Sequence, residues 1–305
     1  NPWTREDART LAALSAAGLV FVAALLLATT PPDALTALDS SAVTRYNFIA
    51  GAIGIVAALL VTATTVVMSR KYPEASSVAL AHSVPFLTAA AALRLSQSHW
   101  DTAGWGWTGL GLLIGSLAVL GLPKRYRISI AAPLVVGTVL AATSLLVSLG
   151  QLSQAGISSI LFALVIVLLQ VAPWIALAHI PVRILDADTT EQIPAKGITD
   201  QVSTSFVFVV ALRAGGALAA LFLAISLMTA PVTRSVTLPL TLIMLGSVSL
   251  VLQTRSIRAR VEVLLGALTG LIIILVSAVL GAYADPMMMP WLTLSAIATA
   301  LVLVI

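Results

Sequence analysis

The chain reads as an all-α, polytopic transmembrane helical bundle of about ten spans. Three observations predict this fold. Its apolar runs are continuous and roughly 20 residues long, the length a helix needs to cross a bilayer. Charged residues make up 9% of the chain against 59% hydrophobic, and the mean hydropathy is +1.07, whereas soluble domains carry about 25% charge. Apolar residues do not alternate with polar ones at every second position, as they would along barrel strands. Inside lipid every backbone polar group must be satisfied internally, so helices are the spanning element.

The elements follow in order. Residues 2–10 are a polar lead-in with Trp3 at the interface, and Thr4 with Asp7 has the spacing of a capping box. The first span covers 11–30 and stops at Pro31-Pro32. The second, 48–68, is followed by the basic turn Ser69-Arg70-Lys71-Tyr72-Pro73. The third, 76–95, is less apolar and contains His82, Pro85 and Arg94. The fourth, 105–122, ends at Pro123-Lys124-Arg125-Tyr126-Arg127; the fifth covers 128–149 and the sixth 157–179. Then comes the one stretch past residue 50 with several acids, two prolines and little apolar periodicity, from Ile180 to Asp200. An amphipathic lead-in from Phe206 opens the seventh span, 211–228, which carries Arg213. The eighth covers 236–252, the ninth 261–283, and the tenth starts near Met287. The expected organisation is therefore a six-helix bundle over 1–179, a cytoplasmic linker over 180–205 and a second bundle over 206–305, whose last span is truncated or missing.

Orientation follows from Lys and Arg, which favour the cytoplasmic side of membrane proteins. Arg5, Arg9, Arg70, Lys71, Lys124, Arg125, Arg127, Arg183, Lys196, Arg255, Arg258 and Arg260 fall on the N-terminal side, with Arg213 close by. Arg45, Arg94 and Arg234 fall on the other. The N-terminus and the linker are thus expected in the cytoplasm. A net charge of +4 spread over such loops is not a nucleic-acid signal.

The residues exclude several chemistries. Cysteine is absent, which removes disulfides, thiolate metal sites and thiol catalysis. All twelve acids lie in loops or at span ends, where they cannot serve as the mid-membrane carboxylate of a coupled transporter or an intramembrane protease. No catalytic, cofactor-binding or metal-ligating residue is expected, and the chain reads as no enzyme. His82 and His179 fit structural roles, and His99 beside Trp100 fits the surface. Trp100, Trp105 and Trp107 read as an interfacial aromatic belt. Gly111 with Gly115, and Gly266 with Gly270, stand four apart, the spacing that lets helix backbones approach closely. The basic turns carrying Lys124, Arg125, Arg127, Arg255, Arg258 and Arg260 suit anionic lipid headgroups as well as topology. In the linker, Arg183, Asp186, Asp188, Glu191 and Lys196 form a mixed, mainly acidic tract suited to docking a protein partner.

These features together resemble EccD, the polytopic inner-membrane component of mycobacterial and actinobacterial type VII (ESX) secretion systems. The resemblance rests on Ile175-Ala176-Leu177-Ala178-His179-Ile180-Pro181-Val182 leading into the acidic loop. It rests also on Met68-Ser69-Arg70-Lys71-Tyr72 before the alanine-rich Thr88-Ala89-Ala90-Ala91-Ala92-Leu93, and on the basic turns before spans 5 and 9. The linker is shorter than in that family, and its proline-rich part is reduced to Pro181 and Pro194. The resemblance implies a ubiquitin-like domain ahead of Asn1, about eleven spans in the full protein, and a dimer enclosing a lipid-lined cavity. It further implies assembly with EccB, EccE and the ATPase EccC, the chain itself being a non-catalytic scaffold in the inner membrane. The alternative is a small-molecule or lipid permease, which would call for midplane polar groups and discontinuous helices in matching halves.

Overall fold

The computed structural model describes residues 5–29, 40–71, 75–97, 102–120, 130–150, 153–178, 195–230, 237–253 and 260–284. Among these the regular structure is helical throughout, without a strand. The helices are α1 (Arg5–Ala28), α2 (Ser40–Lys71), α3 (Ala75–Leu95), α4 (Thr102–Leu120), α5 (Ala131–Ser148), α6 (Gln154–Ala178), α7 (Ala195–Thr229), α8 (Thr237–Gln253) and α9 (Arg260–Ala284). Each of the first nine expected segments coincides with a helix; the tenth lies outside the described residues. Among the described residues, five stretches are long and apolar enough to cross a membrane: Ser41–Met68, Ala131–Ser148, Gln154–Ala172, Phe206–Thr229 and Val263–Ala282. Shorter apolar helical stretches occupy Ser15–Ala28, Leu80–Leu95 and Thr237–Gln253. The chain is a multi-pass membrane protein.

Hydroxyl residues inside these helices bond back to their own backbone, which removes the cost of an unsatisfied hydroxyl in lipid. Thr62, Thr64 and Thr65 of α2 donate to the carbonyls of Ala58, Leu60 and Val61 at 2.7–2.8 Å. Helix ends carry their own closures. Ser153 caps α6 by accepting the Gly156 N–H at 3.2 Å. At the end of α3, Gln97 takes φ 55° and its N–H reaches the Arg94 carbonyl at 3.0 Å. Gly150, at φ 74°, closes α5 in the left-handed region that costs glycine little.

Two compact units result, Asn1–Ser148 and Leu149–Ile305. In the first, α3 is the centre: α1, α2 and α4 all pack on it, and α5 packs on α4. Its core brings Ala24 of α1 and Ala58 of α2 against Ala81, Val84, Leu87 and Ala90 of α3, with Phe21 meeting Phe86 edge to face at 5.1 Å. The centrality of α3 explains why it is the least apolar candidate span. A helix surrounded by protein need not be greasy all round.

In the second unit, α6 packs on α7, α7 on α9, α9 on α8, and α8 back on α6, a closed ring of four. Phe162, Leu223, Leu227, Ile243 and Ile273 fill its core and are fully buried. The sequence boundary after residue 179 places α6 with the helices before it, whereas its partners in the structure follow it. Gly216 of α7 abuts Leu169, and Gly246 of α8 abuts Phe162, so the fit that holds α6 comes from the C-terminal half. The linker expected over 180–205 also ends earlier in helical form, since α7 begins at Ala195 and runs 35 residues. At 1.5 Å per residue that is ~52 Å, well beyond the ~30 Å hydrocarbon core.

Candidate functional site

Of the residues singled out for docking, Arg183, Asp186, Asp188 and Glu191 lie outside the described residues, as do Lys124, Arg125, Arg127, Arg255 and Arg258. Lys196 falls in the first turn of α7 and Arg260 opens α9. The described part of the molecule carries its functional features inside the helical units.

Helix α4 is a backbone-to-backbone junction. A Cβ on Gly111 would stand 2.5 Å from the Thr88 carbonyl oxygen and 2.6 Å from the Ala89 Cα, and one on Gly115 would stand 2.6 Å from the Pro85 Cα. Both glycines therefore face α3. The opposite side of α4 meets α5: a Cβ on Gly109 would lie 2.6 Å from the Ala141 nitrogen, and one on Gly137 2.9 Å from the Gly109 carbonyl. The Thr88 hydroxyl bridges the first seam, 2.7 Å from the Gly111 carbonyl oxygen. In the second unit, Gly270 of α9 meets the Ser247 carbonyl and the Val251 side chain of α8. Gly266, one turn earlier, lines a pocket described below.

Arg94 is 8% exposed, although its position near a span end suggests a loop-side charge. Its Nε donates to the Leu27 carbonyl in the last turn of α1, and its Nη1 lies 3.4 Å from Asn47 Oδ1 on α2. A guanidinium on the C-terminal carbonyls of a helix satisfies orphan acceptors and suits the negative end of the dipole. One cation thus ties α1, α2 and α3 together.

Side-chain amides and hydroxyls perform the corresponding role in the second unit. Gln154 and Ser158 of α6 reach Ser226 of α7 at 3.1 and 2.9 Å. Gln170 of α6 donates to Ser249 of α8, and Gln253 Nε2 donates to the Gln170 carbonyl at 3.2 Å. At this end of the ring a small, partly open pocket forms. It is lined by Leu169 of α6, Arg213 and Ala217 of α7, Gln253 of α8, and Leu265 and Gly266 of α9. Arg213 is 6% exposed.

Other expected positions distribute as follows. Trp105 turns into the bundle and is buried, while Trp107 is exposed, so the two do not form one belt; Trp100 lies outside the described residues. His82 is half-buried in α3, four residues before Phe86. Among the described residues no group of three or more His, Asp or Glu side chains comes together. Sequence reasoning missed the Arg94 tie and both polar seams of the second unit. Their signal was polar side chains in apolar runs, which in membranes commonly bond between helices.

No protein-family model matches the chain, and no curated protein matches its sequence. Solved structures do. A chain of protomer 1 of the ESX-3 core complex is similar at TM-score 0.68 and 18% identity, over 100% of this chain and 68% of that one. A chain of the MycP5-free ESX-5 inner membrane complex in State II is similar at TM-score 0.63 and 18% identity, over 97% of this chain and 68% of that one. The structural likeness thus falls on the type VII secretion complexes that the sequence resembles, and the chain shares its fold with a component of the ESX inner-membrane complexes.

Proposed function

We propose that the chain is the EccD-type subunit of a type VII secretion complex, a non-catalytic membrane scaffold. The observation that carries the reading is the shared fold, which extends over 97–100% of the chain and recurs in two ESX complexes. The interior supports it too. Several polar groups within the helices join one helix to another, through Arg94, Thr88, Ser226 and Gln170. In this reading the subunit dimerises around a lipid-lined cavity and assembles with EccB, EccE and the ATPase EccC. The N-terminus faces the cytoplasm, as the distribution of Lys and Arg favours. The Arg183, Asp186, Asp188, Glu191 and Lys196 tract supplies charge for docking a soluble domain.

The test is the mass and composition of the tagged full-length protein extracted gently from its native membrane. A particle many times the 31.5 kDa of the chain, containing an ATPase and further membrane subunits, is the expected result. A lone monomer or dimer overturns the scaffold and favours a permease, for which substrate flux across reconstituted vesicles is the next measurement.

A further inference from the structure

We propose that the α6–α8 face of the second unit takes a thin bilayer, with the hydrocarbon beside α8 drawn in to about 24 Å. The inference needs only a multi-pass membrane protein and stands apart from the secretion reading. It starts from the shortness of α8. The helix has 17 residues, Thr237–Gln253. Its ends therefore stand ~24 Å apart at 1.5 Å per residue, against the ~30 Å of a typical hydrocarbon core. Both end residues are polar, and the sequence reaches Arg234 and Arg255 within three residues beyond them.

The register with α6 gives the same height independently. A Cβ on Gly246 would meet Phe162, and Gln253 Nε2 donates to the Gln170 carbonyl, so the two helices run parallel in nearly constant register. On that register Gln154 stands level with Thr237, and Gln170 level with Gln253. Polar rungs close the face at both levels. Gln154 and Ser158 bond Ser226 at one end, and Gln170 bonds Ser249 and Gln253 at the other. One turn past Gln170, Trp174 is 73% exposed, an aromatic suited to the headgroup layer. Between the rungs Leu238, Leu245 and Leu252 of α8 stand exposed at seven-residue intervals, while Leu240, Ile243 and Leu250 are buried. The height of this apolar stripe selects its occupant, acyl chains short enough to end at the rungs.

The neighbouring helices are taller. The apolar stretch of α9, Val263–Ala282, has 20 residues and that of α7, Phe206–Thr229, has 24, or ~30 and ~36 Å. Tilting the whole unit to fit α7 would lower the projected height of α8 further. The mismatch at α8 therefore falls on the bilayer, which thins beside a short span. Beside such a wall the hydrocarbon that a polar solute has to cross is shortest.

The test uses the full chain, whose 305 residues hold no cysteine. A benzophenone is attached at Leu245→Cys, mid-height on α8, or at Leu271→Cys, mid-height on α9; both positions are exposed. Each variant is reconstituted into vesicles of equal parts dimyristoleoyl- and dierucoylphosphatidylcholine, which share a headgroup and differ in chain length. After illumination, mass spectrometry quantifies the two lipid adducts. The short-to-long ratio at Leu245→Cys is expected to exceed that at Leu271→Cys about threefold or more, as ~6 Å of mismatch would give. Equal ratios, or a higher one at Leu271→Cys, overturn the proposal. So does a label at Leu245→Cys that captures protein in place of lipid, because the face is then a contact with another subunit.

Discussion

Gly111→Ala is the most economical probe of how this fold is held, because it adds one methyl group where two backbones touch. The new Cβ would stand 2.5 Å from the Thr88 carbonyl oxygen, 2.6 Å from the Ala89 Cα and 2.9 Å from the Ala89 nitrogen. Comfortable carbon–carbon contact lies near 3.5–4.0 Å. All three obstacles are backbone atoms of α3, so no rotamer change can relieve the clash and the helices must part by roughly 1 Å. That separation also stretches the 2.7 Å bond from the Thr88 hydroxyl to the Gly111 carbonyl past the useful limit. Overpacking costs ~1–3 kcal/mol and an interhelical hydrogen bond in a membrane is worth ~0.6, so the expected loss is about 2–4 kcal/mol.

The control is Gly18→Ala on α1, where nothing lies within 4 Å of the added Cβ. There alanine should be neutral or gain up to ~1 kcal/mol in helix propensity. Unfolding in mixed micelles, followed by far-ultraviolet circular dichroism, measures both. Gly111→Ala within ~0.5 kcal/mol of the wild type, the scatter expected of an uncoupled surface change, would refute the backbone seam. Equal destabilisation by Gly18→Ala would sink the reasoning from another side, by tracing the effect to glycine itself.

Three further outcomes are expected. Arg94→Met removes the cation that joins the Leu27 carbonyl of α1 to Asn47 and should cost about 2–4 kcal/mol in the same unfolding assay; Asn47→Ala should cost ~1, and a double-mutant cycle should show the two coupled. Ser247→Ala and Ser277→Ala should be neutral or stabilising by up to ~1 kcal/mol, since both hydroxyls are fully buried without a hydrogen-bond partner among the described residues; a loss above that size in melting experiments would point to a partner for the hydroxyl. Replacing Asp186, Asp188 and Glu191 together by Ser should lower the yield of co-purified subunits while leaving membrane insertion intact, and unchanged subunit stoichiometry on a gel would count against docking through that tract.

Span positions are legible in the sequence because lipid imposes a strong, local rule: an uninterrupted apolar run of a fixed length. That rule locates α2, α6, α7 and α9 without reference to any other residue. It says less about α3, whose His82, Pro85 and Arg94 lower its hydropathy, since the rule assumes lipid neighbours and α3 has helices on three sides. The unit boundary was illegible for a related reason. Loop polarity points to a linker at 180–205, but the boundary between units is set by side-chain fit. Gly216 against Leu169 and Ser226 against Ser158 join α6 forward across that loop. Gly111 and Gly115 announce themselves by spacing, whereas Gly109 becomes meaningful only beside Gly137, on a different helix. The Arg94 tie spans 67 residues of sequence, and no local pattern encodes it.

The two units use different means to hold their helices, and the difference bears on what could move. Without a hydrophobic drive between helices in lipid, association depends on close packing and interhelical hydrogen bonds. In the first unit, α4 touches α3 and α5 at backbone distance on opposite sides, through Gly111 and Gly115 and through Gly109 and Gly137. Three helices joined in this way can slide only by lifting glycines out of close-packed seats, and packed cores shift between discrete arrangements more readily than they deform. In the second unit hydroxyl and amide side chains join α6 to α7 and α8, and one glycine, Gly270, approaches a facing backbone, at the Ser247 carbonyl. A transporter that alternates access must open a seam in each cycle, so a covalent staple across the α3–α4 seam would stop it. A scaffold keeps working with the seam locked. A disulfide joining Thr88→Cys to Gly111→Cys is too crowded to serve; cysteines placed at the α3–α4 periphery and oxidised after assembly discriminate the two, with retained complex function expected for the scaffold.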